Sequence, residues 1–320
     1  MAKINGGKEI GQVKNFVRTI KNNYQFMLMV IPGALWFLIF SYIPMLGIVI
    51  AFKDLRISRF GFIQTVLESK WMGFKNFKYL FSTKDAFIIT RNTVLYNLAF
   101  IFLGLVFALA FAIIITEMSH KFLGKLFQTA MFMPYFLSWI VISYFVYAFL
   151  SDNGLANQII TSLGGKAVNW YLNPKPWPFI LIFTAIWKGT GYSSVVYIAT
   201  IAGFDKSYYE AAMIDGADKF QQIKFITLPL LKPVITMMLL LSIGKIFNAD
   251  FGLFYQVPMN SGVLYPVTNV IDTYVYRGLT TMGDFGMTAA AGLYQSTVGL
   301  VLILVSNYLV RKYDNENSLF

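Results

Sequence analysis

Cysteine is absent from this 320-residue chain, and histidine occurs only once. The lack of cysteine excludes disulfide bonds and thiol chemistry, and it is compatible with either side of a bacterial membrane. The single histidine, His120, lies beside Lys121 in a short predicted loop, and a metal site needs several converging ligands, so we interpret it as a solvated loop residue rather than a metal ligand. One histidine in a short loop also offers no plausible Ser/His/Asp set, and the sequence predicts no enzyme active site.

Charged residues are scarce as well. They make up 13% of the chain against 57% hydrophobic and 18% aromatic residues, which is too apolar for a soluble domain of this length. Several apolar runs exceed the roughly 18 residues that can cross a hydrocarbon layer about 30 Å thick. The short alternating segments of a transmembrane β-barrel are not seen. The sequence therefore predicts an all-α fold, a polytopic transmembrane helical bundle.

The formal net charge of +11 raises the question of nucleic acid binding. The basic residues are dispersed among loops and termini, and no soluble domain presents a basic stripe. Positive charge on cytoplasmic loops, which sets the orientation of membrane proteins, explains the surplus better. We therefore predict no nucleic acid partner.

Six apolar segments are long enough to be spans, and an even number places both termini on the same side, the cytoplasm. A basic segment, 1–25, precedes them and a polar tail, 313–320, follows the six-span domain, 26–312. A basic lead before an apolar run resembles a signal peptide, but the first run is too long and lacks a convincing cleavage site. The predicted spans are 26–52, 92–116, 126–150, 177–202, 233–254 and 288–310.

A polar stretch rich in small residues separates the fourth and fifth runs. Ser207 and Glu210 have the spacing of a capping box, so a short helix is predicted to begin there. Ala211 and Ala212 present almost no side chain and allow another surface to approach the backbone closely. Gly216, four residues past Ala212, can take the left-handed conformation that ends a helix and redirects the chain.

A second helical turn is predicted from Ala217, and it places Phe220 and Ile223 on one face. Pro229 and Pro233 are then expected to break the pattern before the next apolar run. The whole loop, 204–232, is thus predicted to form a helix-turn-helix surface that docks into another molecule. The alternative is an ordinary amphipathic loop helix.

This stretch, Glu210-Ala211-Ala212 followed by Gly216 and then Leu228-Pro229, resembles the EAA loop of ABC importer permeases. In that family the loop is the coupling helix, which inserts into a cleft on a cytoplasmic ATPase subunit. The resemblance implies that Glu210 holds the loop by ion pairing, the alanines give close contact and Gly216 makes the turn. The residues that the resemblance assigns to ATPase coupling are Glu210, Ala211, Ala212, Asp215, Gly216, Ala217, Phe220, Leu228 and Pro229.

Other segments resemble the sugar-importing branch of these permeases, and two of them resemble its polysaccharide-type members. Together they extend the resemblance from about residue 26 to residue 312, and they imply the architecture of a type I ABC importer permease. The segments are Gly73-Phe74-Lys75-Asn76-Phe77, Arg91-Asn92-Thr93, Met133-Pro134, Val270-Ile271-Asp272-Thr273-Tyr274-Val275-Tyr276-Arg277 and Gly283-Asp284-Phe285.

Membership of this family would imply several partners in a bacterial plasma membrane. They are a second, similar permease subunit in a heterodimer, two cytoplasmic ATPase subunits and an extracytoplasmic solute-binding protein that meets the outer loops, chiefly 151–176 and 257–287. The cargo would be an oligosaccharide or glycan fragment. The chain has no G-x-x-x-x-G-K-[ST] motif, so we expect it to bind no cofactor itself, while ATP and magnesium bind to the partner ATPase subunits.

Polar residues inside the predicted spans are candidates for the substrate pathway. A charged group at the centre of a bilayer costs at least about 2.5 kcal/mol, so such groups normally face the bundle interior or a wet cavity. An alternative is that Lys188 or Lys245 pairs with Asp250 and only holds helices together. The candidate pathway residues are Trp187, Lys188, Tyr192, Lys245, Asn248, Asp250, Tyr294 and Gln295.

Three rival functions remain open at this point. A secondary transporter could use Lys188, Lys245 and Asp250 as an ion-coupled set, although the internal inverted repeat that would support it is not visible. A membrane scaffold without transport would leave the same charges inert. The same importer class could also take a polyol or a glycerol-phosphate compound instead of a sugar.

Overall fold

The structure is a computed structural model that describes residues 22–55 and 61–313. Most of the predicted basic segment, 1–25, and all but the first residue of the predicted tail, 313–320, lie outside the described residues. Within the described ranges the chain is almost entirely helical, with one small antiparallel ribbon that pairs Lys53 with Trp71 and Asp54 with Lys70.

Helices and strands are numbered here in chain order. The helices are Tyr24–Phe37 (α1), Ile43–Met45 (α2), Phe62–Glu68 (α3), Lys75–Ser82 (α4), Lys84–Glu117 (α5), Lys121–Phe132 (α6), Trp139–Leu150 (α7), Leu155–Ser162 (α8), Trp177–Ala202 (α9), Lys206–Ile214 (α10), Lys219–Gln222 (α11), Leu228–Ile243 (α12), Phe251–Gln256 (α13), Tyr265–Thr268 (α14), Ile271–Arg277 (α15) and Phe285–Tyr313 (α16). The strands are Lys53–Asp54 (β1) and Lys70–Trp71 (β2).

Shorter turns of different winding join several of these helices. Segments of π-helix are Leu38–Tyr42, Ile223–Thr227 and Gly278–Met282, and segments of 3₁₀-helix are Leu46–Phe52, Met133–Phe136, Trp170–Leu172 and Gly262–Leu264.

The predicted all-α, six-span class is confirmed. Within the described ranges, six helical segments are long and apolar enough to cross a membrane. They are Tyr24–Phe52, Lys84–Glu117, Trp139–Ser162, Trp177–Ala202, Lys219–Ile243 and Phe285–Lys312, called spans one to six below.

The prediction for span five was wrong at both ends. Its helix begins at Lys219 in the docking loop, not after Pro233, and it ends at Ile243 rather than near residue 254. Pro229 and Pro233 do not break it. Pro229 lies in the first turn of α12, and the wider π-turn just before it accommodates a residue that cannot donate a backbone hydrogen bond.

The prediction for span three as one helix, 126–150, was also wrong. Helix α6 gives way to a 3₁₀ turn at Met133, and the backbone is extended at Leu137 and Ser138 before α7 begins. Pro134 explains the break because its ring and its missing N–H oppose a continuous helix. The Ser138 hydroxyl then caps α7 by accepting a hydrogen bond from the backbone N–H of Val141 at 3.3 Å.

Spans two and four form the central pair of the bundle, and small residues let the helices approach. Ala108 and Ala112 of span two are fully buried against Tyr197 of span four and Leu231 of span five. In span four, a Cβ on Gly191 would overlap the backbone carbonyl of Met131. Close crossing of this kind is the usual use of small residues between membrane helices.

Arg277 organises the segment between spans five and six. Its guanidinium donates hydrogen bonds to the side-chain oxygens of Asn260 at 2.9 Å, Asn269, and Thr273 at 3.1 Å, and it lies 4.2 Å from the ring centre of Tyr265. Burial lowers the pKa of Arg277, because each of these three acceptors is uncharged. The planar guanidinium therefore holds three turns of the chain together. Arg277 is the last residue of the 270–277 motif, and its role is structural.

Replacing Arg277 tests this role. We expect Arg277→Lys to lower the free energy of unfolding by about 2 kcal/mol, because an ammonium cannot reach three acceptors in one plane and leaves some of them unpaired. The measurement is the thermal midpoint of the detergent-solubilised protein. Arg311→Lys, at the exposed end of span six, is the matched control. Equal midpoints for the two variants would contradict the assignment.

Candidate functional site: a cavity at two helix breaks and a projecting loop

The break between α6 and α7 lies against the break between α12 and α13. They are called the breaks in spans three and five below, because the sequence predicted a continuous span across each. The indole N–H of Trp139, the first residue of α7, donates to the carboxylate of Asp250 at 2.8 Å. Asp250 also caps α13 by accepting from the backbone N–H of Gly252 at 2.9 Å. Gly252 packs so closely on the Trp139 ring that a Cβ there would overlap it. The two breaks therefore form a single junction.

Lys188 of span four satisfies the carbonyl groups that the break in span three exposes. Its ammonium donates to the carbonyls of Leu137 at 2.6 Å, Tyr135 at 2.8 Å and Pro134 at 3.3 Å. It also lies 5.2 Å from the ring centre of Trp139. An unpaired backbone carbonyl in an apolar layer costs several kcal/mol, so this lysine stabilises the break.

Asp272 and Gln295 form hydrogen bonds with backbone groups that the break in span five exposes, from the other side of the junction. The Asp272 carboxylate accepts from the backbone N–H of Ala249 at 2.7 Å and from the Gln295 amide at 3.1 Å. The same amide donates to the carbonyl of Phe247 at 2.7 Å. Burial raises the pKa of Asp272, although the hydrogen bonds from Ala249 and Gln295 act in the opposite direction.

A cavity of about 420 Å³ opens beside this junction. It brings together four of the predicted pathway residues, Lys188, Lys245, Asn248 and Asp250. We predicted that these four residues lie inside continuous spans, and for the three in predicted span five this was wrong. Lys245, Asn248 and Asp250 lie in the non-helical segment between α12 and α13, which Gly244 begins and the Asp250 cap ends.

The other predicted pathway residues lie elsewhere. Tyr192 lines a neighbouring cavity and stacks on Tyr135 with ring centres 4.1 Å apart. Trp187 lines an apolar groove between α7 and α9. Tyr294 is partly buried against a hydrophobic core cluster and packs edge-on against the exposed ring of Phe81, and Gln295 supports the break described above.

Salt bridges between these lysines and Asp250 are not formed. Within residues 22–55 and 61–313, the Asp250 carboxylate bonds to Trp139 and to its own helix, while Lys188 bonds to carbonyls. Lys245 and the Asn248 amide lie exposed at the cavity, and neither side chain has a hydrogen-bond partner among the described residues. Lys245 therefore supplies the cavity with an ammonium group that no described residue occupies.

Other lining residues were missed from the sequence, among them one amide and three aromatic side chains. Asn97 and Phe100 come from span two, and Tyr135 and Trp139 flank the break in span three. Asn97 is a polar residue inside an apolar span, so the criterion that selected Lys188 would have found it. Pro134 could have marked the break, and with it the aromatic residues on either side.

The docking loop, residues 204–232, has the predicted helix-turn-helix form, with one correction at its start. Gly216 takes the left-handed conformation, with φ of 82°. Helix α10 is capped by Asp205, which accepts from the backbone N–H of Ser207 at 2.9 Å, so the predicted Ser207–Glu210 capping box was wrong. Asp205 and Ser207 are both residue types that cap helices, and α10 is capped by Asp205, the earlier of the two. That hydrogen bond lowers the pKa of Asp205.

The second helix of the loop, α11, has a true capping box. The Asp218 carboxylate accepts from the backbone N–H of Gln221 at 2.7 Å, and the Gln221 side chain accepts from the backbone N–H of Asp218 at 2.8 Å. The second helical turn was predicted from Ala217, and the helix begins two residues later, at Lys219.

Helix α10 buries none of its residues. Of the nine predicted coupling residues, seven are exposed and two, Ala212 and Ala217, are half-buried. Apolar side chains are exposed on the same loop, with Ile214 86% and Phe220 70% accessible. An exposed apolar surface next to small residues is typical of a protein–protein contact site.

Known proteins are similar to this chain over nearly its whole length. The protein LplB of Bacillus subtilis (strain 168) is 33% identical over 96% of this chain and 94% of its own length. The polygalacturonan/rhamnogalacturonan transport system permease protein YteP of the same organism is 34% identical over 94% of this chain and 91% of its own length.

A solved structure is also similar over nearly the whole chain. It is a bacterial ABC transporter involved in the import of the acidic polysaccharide alginate, and its matching chain has a TM-score of 0.85 and 30% identity over 94% of this chain and 99% of that chain. Residues 108–315 match the family described as binding-protein-dependent transport system inner membrane component. The resemblance read from the EAA loop is thereby confirmed, and this chain belongs to the family of binding-protein-dependent transport system inner membrane components.

Proposed function

We propose that this chain is one of two permease subunits that form the membrane path of an ATP-driven importer of oligosaccharides or glycan fragments. The observation that supports this most directly is the docking loop. Helix α10 lies between two spans, buries none of its residues and exposes apolar side chains such as Ile214. A loop of this kind needs a partner, and a cleft on a separate ATPase subunit fits its shape.

In this assignment the parts of the loop have different roles. Glu210 is exposed and free to form an ion pair with the ATPase, while Ala211 and Ala212 let the two backbones come close. Gly216 makes the turn that sets α10 against α11. ATP and magnesium would bind to two such ATPase subunits, because this chain contains no phosphate-binding loop.

A second permease subunit follows from the exposure of span one and of the cavity. Side chains from Tyr24 to Leu46 are all exposed, and Ala51 is the residue of this span that is buried. Lys245, Asn248 and Asp250 are likewise exposed on one side of the cavity. We therefore assign this chain half of the pathway and a similar, non-identical permease the other half.

The cargo follows from the chemistry of the cavity together with the relatives. Aromatic faces from Phe100 and Trp139 lie beside amides and charged groups, which is the mixture that holds a sugar by its C–H faces and hydroxyls. YteP is a permease for polygalacturonan and rhamnogalacturonan, and the alginate transporter takes an acidic polysaccharide. The unused ammonium of Lys245 would pair with a carboxylate on such a cargo.

We also propose how the cargo reaches this chain and how the chain is oriented in the membrane. A solute-binding protein would present the cargo at the outer loops, 151–176 and 257–287. The chain would lie in the plasma membrane of a bacterium, with both termini in the cytoplasm. Closure of the ATPase pair would move the docking loop and tilt the spans, so that the cavity opens to one side and then the other.

The secondary-transporter alternative has less support, because the structure uses two of its three proposed groups elsewhere. Lys188 bonds to backbone carbonyls, and Asp250 bonds to Trp139 and caps α13. Lys245 alone remains free to exchange an ion, which is a poor basis for coupled transport. A scaffold without transport would not require the cavity at all.

Altering the docking loop tests the ATPase assignment. We expect Glu210→Ala and Gly216→Pro to remove an ATPase that co-purifies with the tagged wild-type chain, while the second permease is retained. Both variants change the docking surface and leave the spans intact. Glu68→Ala, an exposed glutamate of the segment between spans one and two, is the matched control. Retention of the ATPase by both loop variants would contradict the docking assignment.

Neutralising Lys245 tests the cargo. We expect Lys245→Gln to raise the KM for an acidic oligosaccharide about ten-fold, since one charge-assisted hydrogen bond is lost, and to change uptake of a neutral one little. The measurement is uptake by reconstituted vesicles, with Lys166→Gln in the outer loop as control. An equal effect on both cargoes would show that Lys245 does not recognise a carboxylate.

A further inference from the structure

We propose that the hydrogen bond between Tyr209 and Thr227 is the connection through which α10, the first helix of the docking loop, moves span five, so that Tyr209 is a positioning residue for transport. This inference rests on the proposed function, because it needs an ATPase that moves α10. The two hydroxyl oxygens lie 3.0 Å apart and join α10 to the last residue of the π-turn.

The bond is noteworthy because α10 has so few other attachments to the body of the protein. None of its residues is buried, and its ends continue into short connections at Asp205 and Asp215. Tyr209 is half-buried, whereas its neighbour Tyr208 is 56% accessible. A force applied to the exposed face of α10 therefore reaches span five through the backbone and through this side-chain hydrogen bond.

A second tie joins the loop to span two and is weaker. Lys219, the first residue of α11, lies 2.8 Å from the carboxylate of Glu117 at the end of α5. Its side chain is 67% accessible, so water and salt screen the ion pair. The Tyr209–Thr227 bond is better protected, since Thr227 is only 3% accessible.

From Thr227 the path leads into the centre of the bundle. Leu231 lies one helical turn further on the same face of span five, and it is fully buried against Tyr197 of span four and the alanines of span two. Thr227 is thus next to the residue at which span five packs on the central pair. A displacement of Tyr209 is passed directly to that packing.

Span five then extends to the cavity. Helix α12, Leu228–Ile243, is about 24 Å long at 1.5 Å per residue, and it ends two residues before Lys245. A π-turn at its start, Ile223–Thr227, is a feature often found where helices perform a function. The docking loop and the cavity are therefore the two ends of one helical element, and the Tyr209–Thr227 bond is its attachment to the loop.

The test uses the whole complex, purified with its ATPase subunits and reconstituted in vesicles. We expect Tyr209→Phe to retain the ATPase subunits and basal ATP hydrolysis, and to lower the cargo transported per ATP hydrolysed about five-fold, the factor expected for one lost hydrogen bond. Tyr208→Phe removes a hydroxyl from the adjacent, exposed ring and is the matched control.

Thr227→Val removes the other partner while keeping the shape of the side chain. It also removes the longer hydrogen bond, 3.5 Å, that the Thr227 hydroxyl donates to the carbonyl of Gln222 across the π-turn. We expect it to lower the transport-to-ATP ratio at least as much as Tyr209→Phe does, and the double variant to be no worse than Thr227→Val alone, because the Tyr209–Thr227 bond is already lost there. Thermal midpoints of the variants check that folding is unchanged.

Different failures point to different parts of the account. If wild-type complex contains no ATPase, the proposed function fails and this inference fails with it. If the ATPase is present but Tyr209→Phe matches Tyr208→Phe, or the two effects simply add, the proposed connection alone is wrong. Loss of the ATPase from Tyr209→Phe would show that Tyr209 supports docking and not transmission, which also overturns the inference.

Discussion

Backbone hydrogen bonding inside a lipid layer is the constraint on which the rest of this structure depends. A carbonyl or N–H released by a helix break finds no water there, so another part of the protein must satisfy it. Lys188 does this for span three, and Asp272 and Gln295 do it for span five. These side chains come from span four, from α15 between spans five and six, and from span six. The cavity is thus held by elements that any rearrangement of the spans would move relative to one another.

The polar residues of the membrane region consequently divide into two groups. Most of them are occupied in holding the breaks, and their loss would alter the shape of the cavity before it altered recognition of a cargo. The side chains of Lys245 and Asn248 form no hydrogen bond with either break among the described residues, and they face the cavity. Span five connects this region to the docking loop in one continuous helix, which is the route by which the ATPase subunit proposed above would act on the cavity.

Much of this could be predicted from the sequence. Length and composition predicted six spans, and residue type and spacing predicted the Gly216 turn and the family. Both breaks were missed although the sequence carried a local signal for each. Pro134 marks the first, and Gly244, Lys245, Asn248 and Asp250 interrupt the apolar run after Ile243, but they were interpreted as polar residues inside a continuous span. The role of Gln295 depends on Phe247, which is distant in sequence, so no local pattern contains it. Asp205 and Ser207 are both good caps, and only the folded backbone selects one.

The most direct test of the account is whether ATP alone energises transport. Vesicles that contain the purified complex would be given a solute-binding protein and a labelled acidic oligosaccharide outside, with ATP and magnesium at the docking-loop side. The account predicts cargo accumulation that requires ATP hydrolysis and persists after ionophores collapse all ion gradients. Accumulation without ATP, driven by an ion gradient and abolished by ionophores, would contradict it and identify the chain as an ion-coupled carrier.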